Sequence, residues 1–335
     1  MQQNLPNLQS VFRIGPLDIR NRIALAPMSG VTDLPFRQLA WENGAGFVVT
    51  EMVASRELVG NTAESWSRLK NSGIEPHIVQ LAGRDPGFMA EGARIAEANG
   101  ASVVDINMGC PAKKVIGGLS GSALMREPEL ALAIIEATVK AVKIPVTVKM
   151  RLGWDENSIN APVLAREAEL LGVQMITIHG RTRMQFYDGR ADWDRIADVR
   201  AAISVPLVAN GDVETPDDVR NILLRSGADA VMMGRGSQGR PWHAGVIAGQ
   251  REAPEQAEIA EIFERHYRMM LEFYGVESGL RHARKHVGWY FERNAGEIAP
   301  DVRTAIMTSR DTEFVIAEAR RLMLANRTSN LSEAA

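Results

Sequence analysis

A closed parallel (β/α)8 barrel of the TIM type, followed by a small all-helical domain, is the α/β fold this sequence predicts. Three observations predict it. Short apolar runs rich in β-formers alternate with amphipathic stretches eight times within about 220 residues, too often for an open doubly wound sheet. After Gly249 the alternation gives way to helix upon helix. Proline marks the boundaries: Pro145 and Pro206 stand just before strands, and Pro128 and Pro216 fit the first turn of a helix.

In chain order, Val11–Ile14 and Leu17–Ile19 read as a hairpin turning at Gly15-Pro16, placed to plug the bottom of the barrel. The barrel strands are predicted at Ile23–Met28, Phe47–Thr50, Ile78–Leu81, Val103–Asn107, Val146–Met150, Met175–His179, Leu207–Asn210 and Ala230–Gly234. Between them Pro128–Val142, Ala161–Leu171 and Pro216–Arg225 carry apolar residues three and four apart, the helical period. Residues 1–248 form the expected catalytic domain, Ile247–Pro254 the linker and 255–326 the helical domain, opening with Glu255–Tyr274. The tail after Asn326 is polar and reads as frayed.

Composition bounds the rest. The chain has 335 residues, 45% apolar and 24% charged, the profile of a folded globular protein. Nowhere do 18 apolar residues run together, and Met1–Ser10 lacks the pattern of a secretory signal, so a cytoplasmic, non-membrane protein is expected. Cys110 is the single cysteine, which rules out an internal disulfide and a cysteine-based metal cluster. A net charge of −3 argues against coating nucleic acid by bulk electrostatics but leaves room for a local basic patch. A monomer is expected, with no metal.

Active sites of such barrels form at the C-terminal strand ends. Here those ends carry Pro27-Met28-Ser29, Gln80, Asn107 with Cys110, Lys149 with Arg151, His179 with Arg181, Asn210-Gly211-Asp212, and Gly234-Arg235-Gly236. Any one of these reads equally well as a solvated loop residue; all of them together do not. The glycines after strands seven and eight let backbone N–H groups approach a phosphate, beside a short helix expected near Pro241. Residues 234–239 also match G-x-G-x-x-G, but no following strand or acidic residue completes a dinucleotide-binding unit. Lys149 closes an apolar strand; it either snorkels to solvent or places a cation at the N1/O2 edge of a flavin. Gln80 and Asn107 offer donors and acceptors to a planar heterocycle. Cys110, in a Gly/Pro-rich loop, is either a small buried hydrophobe or a thiol for proton transfer or nucleophilic attack.

Ala26-Pro-Met-Ser-Gly-Val-Thr-Asp33, Asn107-Met-Gly-Cys-Pro-Ala-Lys-Lys-Val115, Ile178-His-Gly-Arg-Thr182, Asn210-Gly-Asp212 and Met233-Gly-Arg-Gly236 together resemble the signature blocks of bacterial tRNA-dihydrouridine synthases. The overall look is nearest the B-type, nitrogen-regulation-like branch. The resemblance runs from about Arg13 to Gln250 and, more loosely, through the helical region. It implies FMN held at its ring by Pro27, Met28 and Ser29 and at its edge by Gln80 and Lys149. His179, Asn210, Gly211, Asp212, Gly234 and Arg235 would take the ribityl chain and phosphate. Asn107 would orient the target uracil, with Arg181 on the substrate side, and Cys110 would be the proton donor. NADPH would reduce FMN, the reduced flavin would give hydride to C6 of a uridine in a tRNA loop, the D-loop being expected, and Cys110 would protonate C5 from the opposite face.

In the helical region Arg281, Arg284, Lys285 and Gly288 fall three and four apart, a basic stripe suited to tRNA backbone or simply a solvated face. His282 and His286 share i, i+4 spacing, but no glutamate follows the first, so they do not make an H-E-x-x-H zinc site. Two rivals stay open on the residues alone: a flavin barrel reducing a free pyrimidine, as dihydroorotate dehydrogenase does, and a non-catalytic RNA-binding or regulatory protein.

Overall fold

The computed structural model describes residues 5–332. The first four residues of the N-terminal stretch and the last three of the tail lie outside the described residues. The hairpin forms as Phe12–Ile14 (β1) against Leu17–Ile19 (β2), with Gly15 at φ +55° in the turn. Phe12, Ile14 and Ile19 pack with Phe47, Ile78, Val103, Met175, Val208 and Met232, which fill the lower interior of the barrel. The hairpin therefore closes the floor.

The parallel sheet is built from Ile23–Leu25 (β3), Val53–Ala54 (β4), Ile78–Ala82 (β5), Val103–Met108 (β6), Val146–Arg151 (β7), Ile176–His179 (β8), Leu207–Asn210 (β9) and Ala230–Met233 (β10), in the order β3-β10-β9-β8-β7-β6-β5-β4. The ring closes through the segment expected as strand two: Leu25 bridges Val48, and Val49 bridges Ile78. Backbone bonds from Leu25 N to Phe47 O (3.0 Å) and from Thr50 N to Ile78 O (3.0 Å) flank these bridges, so the expected Phe47–Thr50 segment sits in the ring; just beyond it the Glu51 carboxylate accepts from the Gly30 N–H. Pairing to the next strand resumes at Val53–Ala54. The first strand stops early. Pro27 has no N–H to give, and Met28 N donates to Thr32 Oγ1 (2.8 Å) instead of to a strand.

The outer helices include Pro128–Ala141, Ala161–Leu170 and Pro216–Ser226, within a residue or so of their predicted spans. The last has a reciprocal capping box between Thr215 and Asp218 and ends at Gly227 in the left-handed region, φ +64°. The short helix expected near Pro241 is His243–Ile247.

Beyond it, among the described residues, run four helices, Gln256–Tyr274, Val276–Asn294, Pro300–Thr308 and Thr312–Ser332. The last continues past Asn326, where a frayed tail was expected. Their core gathers Phe263, Tyr267, Met270, Tyr290, Phe291 and Met323, and it also takes in Leu39 and Trp242 from the barrel side. The two parts are thus joined by apolar packing. An exposed ion pair, Arg265–Glu42 (2.6 Å), lies beside that seam.

Candidate active site

A cavity of about 950 Å³ opens at the C-terminal ends of the strands. That is near the upper end of the roughly 300–1,000 Å³ usual for small-molecule sites. Its walls include Pro27, Met28, Ser29, Gln80, Asn107, Cys110, Lys149, His179, Asn210, Gly211, Asp212, Gly234 and Arg235, brought from separate strand ends to one hollow.

The polar groups on the β5–β7 wall are chained together. Asp105, buried in mid-strand, accepts from Gln80 Nε2 (2.7 Å) and Thr147 Oγ1 (2.6 Å). Gln80 Oε1 accepts from Asn107 Nδ2 (2.7 Å), and Asn107 Oδ1 accepts from the backbone N–H groups of Gly109 (3.2 Å) and Cys110 (3.0 Å). Ser122 donates to the Cys110 carbonyl through both N (3.0 Å) and Oγ (2.8 Å). The cysteine is therefore held from both sides. Gly121 (φ +61°) permits this, since a Cβ there would sit 2.8 Å from the Cys110 oxygen.

Burial pushes the Cys110 thiol up, outweighing the Ala112 N–H and the cations of Arg151 and Lys149, so the group stays protonated at neutral pH. Burial, with Arg151 close by, brings the Lys149 ammonium down to about 8; Asp105 opposes that shift. Lys149 Nζ donates to Asn210 Oδ1 (3.2 Å), and Asn210 Nδ2 to the Met232 carbonyl (2.8 Å). Desolvation in the strand end, with the cations of Arg151, Lys149, Arg181 and Arg235 around it, pushes the half-buried His179 ring well down, so it stays neutral.

At the opposite corner Asp212 (φ +53°) organises the loops after β8 and β9. Its carboxylate accepts from Arg181 Nη1 (2.9 Å) and Nη2 (2.5 Å), from Arg235 Nη2 (3.0 Å) and from Ala191 N (2.8 Å). Burial alone would raise its pKa; these partners overcome it and the net shift is downward. Gly211 (φ +122°) is packed so closely that a Cβ would meet Ala191 Cβ at 2.7 Å. Gly234 is the open position, with nothing nearer than Met28 Sδ at 3.6 Å. Together these residues fit a flavin phosphate: close backbone, an open glycine and the half-exposed Arg235.

Two expectations change. Arg181, expected on the substrate side, is 1% exposed, and it spends its donors on Asp212, Asp188 O and Gly189 O. It anchors the loop and cannot meet RNA. The basic stripe divides. Lys285 Nζ lies over Gly30, 3.0 Å from where a Cβ would sit, at the barrel mouth. Arg284 borders a separate groove with Ile306, Met307 and Val315, and exposed Arg281 lies 3.6 Å from Glu277. His282 stacks flat on Tyr274 (4.1 Å, 5°), whose hydroxyl donates to Asp33 Oδ2 (3.1 Å), while His286 is buried edge-on to His266.

Arg151, expected at the end of strand five, is fixed by the carbonyls of Gly109, Thr182 and Phe186 and lies under Tyr187. Other residues escaped the sequence reading. Phe186 and Tyr187 line the cavity, as do Glu214 and Arg293, the last from the helical region and ion-paired to Glu214. Asp105 could have been found, since a carboxylate inside an apolar strand needs a partner.

A profile described as Dihydrouridine synthase (Dus) matches residues 24–320. The chain belongs to the dihydrouridine synthase family. Among members of that family, a Rhizobium leguminosarum bv. phaseoli protein named "Probable tRNA-dihydrouridine synthase" is 69% identical over 301 residues, covering 90% of this chain and 95% of that one. The "tRNA-dihydrouridine synthase B" of Pseudomonas aeruginosa is 44% identical over 319 residues, covering 93% and 96%, in keeping with the B-type resemblance. A solved structure described as "Crystal structure of TcOYE with pHBA" shares the fold at 15% identity, with a TM-score of 0.55 over 73% of this chain and 93% of that one.

Proposed function

We propose that this dihydrouridine synthase is a flavin-dependent oxidoreductase that reduces uridine in tRNA to 5,6-dihydrouridine, with FMN as the flavin and NADPH as the electron donor. The observation that carries the reading is one cavity lined by both the Cys110 thiol, in a loop held by Asn107 and Ser122, and the half-buried Lys149 ammonium. A free-pyrimidine reductase has less use for Lys285 at the mouth, and a non-catalytic protein has none for a thiol held at both ends.

FMN, when bound, supplies a hydride to C6 of the uracil. Every other task falls to the chain. Pro27, Met28 and Ser29 line the ring side, and Arg235 with the glycines of the β9 and β10 loops takes the phosphate. Lys149 offers a positive charge to an electron-rich ring edge. Gln80 and Asn107 set the register of the Cys110 loop, which leaves Asn107 less free to hold uracil than its sequence position implied. Cys110 Sγ holds the proton destined for C5. Flipping the uridine out of its stack brings C5 to this wall.

The test is dihydrouridine formation in unmodified tRNA by the FMN-loaded protein with NADPH, beside a Lys149→Gln variant. Wild-type protein should form the product. Its FMN retention should weaken as pH rises through about 8, because the Lys149 cation is present below that pH and lost above it. Lys149→Gln should bind FMN about tenfold more weakly at pH 7, about 1.4 kcal/mol, and lose the pH dependence. Failure of wild-type protein to take up FMN or to form dihydrouridine would end the proposal.

The split stripe gives a second expectation. Lys285→Gln should weaken tRNA binding and make its salt dependence shallower by about one unit of slope, the share of one phosphate contact. Arg284→Gln, on a different face of the helix, should change it far less. Equal effects in a binding titration across salt would contradict the placement of Lys285.

A further inference from the structure

The arginines at the β9 and β10 side of the mouth are neutralised. Arg181 and Arg235 pair with Asp212, and Arg240 and Arg293 with Glu214. Across the mouth two arginines are not. Arg126, at the end of the 3-10 segment Gly121–Arg126, places its guanidinium 3.7 Å from the Trp154 ring centroid, and Arg183 places its own at 4.8 Å. Trp154 follows β7 and Arg183 follows β8, and their loops are tied by Arg183 N to Gly153 O (3.0 Å) and Met184 N to Trp154 O (2.8 Å). Among the described residues neither guanidinium has a carboxylate ion-pair partner. Arg183 Nε is buried with no hydrogen-bond partner, and its Nη1 reaches only Met184 Sδ (3.3 Å).

Two like charges gathered on one indole repel each other, and an anion between or beside them removes that cost. Arginine's planar fork is matched to phosphate oxygens. The same rim exposes Met184, Phe186 and Tyr187, apolar surface next to cations, the composition that suits unpaired nucleotides. Its position fits too. The helical region meets the barrel beside β3, β9 and β10, through Lys285 over Gly30 and Arg293 on Glu214. The Trp154 cluster stands beyond β6, β7 and β8, on the other side of the cavity.

We infer that Arg126, Trp154 and Arg183 form a second RNA clamp, which grips substrate backbone phosphate on the rim opposite the helical region. The inference rests on the proposed tRNA-reducing function. The clamp and Lys285 then hold the strand on both sides of the uridine that enters the cavity. Trp154 acts by keeping the two guanidiniums together rather than by touching the reacting base.

The test compares FMN-loaded wild-type protein with Arg126→Gln/Arg183→Gln and Arg126→Lys/Arg183→Lys in binding unmodified tRNA across a salt series, with NADPH reduction of the flavin followed in parallel. The glutamine pair should lose about tenfold in affinity at 0.1 M salt, with a salt slope shallower by about 1.5. The lysine pair keeps the charge and should keep the slope, which shows that a loss in the glutamine pair is not misfolding. The NADPH half-reaction should be unchanged in both. Wild-type affinity and slope in the glutamine pair would overturn the clamp while leaving the proposed function standing. A raised half-saturation for NADPH with unchanged tRNA binding would give the site to the dinucleotide's phosphates and overturn its assignment to RNA. Wild-type protein that neither binds nor reduces tRNA would overturn both readings.

Discussion

Replacing Cys110 with alanine is expected to leave reduction of the bound flavin by NADPH near the wild-type rate and to slow its reoxidation by tRNA by about 10²–10⁴-fold, the usual contribution of a general acid. The structure explains why the two half-reactions should separate. The Cys110 backbone is held by Asn107 and by Ser122, neither of which touches the sulfur, so the loop should survive loss of the thiol. Burial keeps that thiol protonated, the state a proton donor needs. Serine should rescue little, because a hydroxyl is a far weaker acid than a thiol. If Cys110 were only a small buried hydrophobe, alanine would lower stability yet leave turnover per folded molecule normal. Stopped-flow absorbance of the flavin distinguishes the two outcomes, and wild-type reoxidation in the alanine variant would remove Cys110 from the chemistry.

Arg181→Met should produce the largest loss of stability among the residues around the site. The substitution fills much of the volume but removes a buried guanidinium that makes two bonds to Asp212 and one each to the carbonyls of Asp188 and Gly189. Breaking one side of a buried pair costs about 3–5 kcal/mol. Arg235 remains to share the Asp212 charge, so the lower end of that range is expected. A second consequence follows at the cavity. Asp212 would face it with less of its charge compensated, and FMN affinity should fall as well. Urea unfolding of the flavin-free protein and FMN titration measure the two effects. An unchanged unfolding midpoint would show that the Asp212 corner does not depend on Arg181.

Much of this was legible in the sequence because barrel architecture is written in short periods. Alternating strand and helix patterns, with prolines at their edges, located the barrel and its rich strand ends, and the cavity gathers residues from those ends. What could not be read depends on distance along the chain. Arg181 looked like a mouth residue because it follows a strand, but its partner Asp212 lies 31 residues later, so nothing local marks it as an anchor. Arg284 and Lys285 are neighbours in sequence and about 100° apart around a helix. Only the docking of that helix against Gly30 decides which of them meets the mouth.

The N-terminal hairpin has a consequence for traffic. Phe12, Ile14 and Ile19 pack into the lower interior of the barrel, so the catalytic hollow has a floor and is reached from above. An enzyme that is charged by one molecule and discharged by another must then admit both by the same doorway. On the proposed function, the electron donor and the tRNA uridine would both reach the flavin through that mouth.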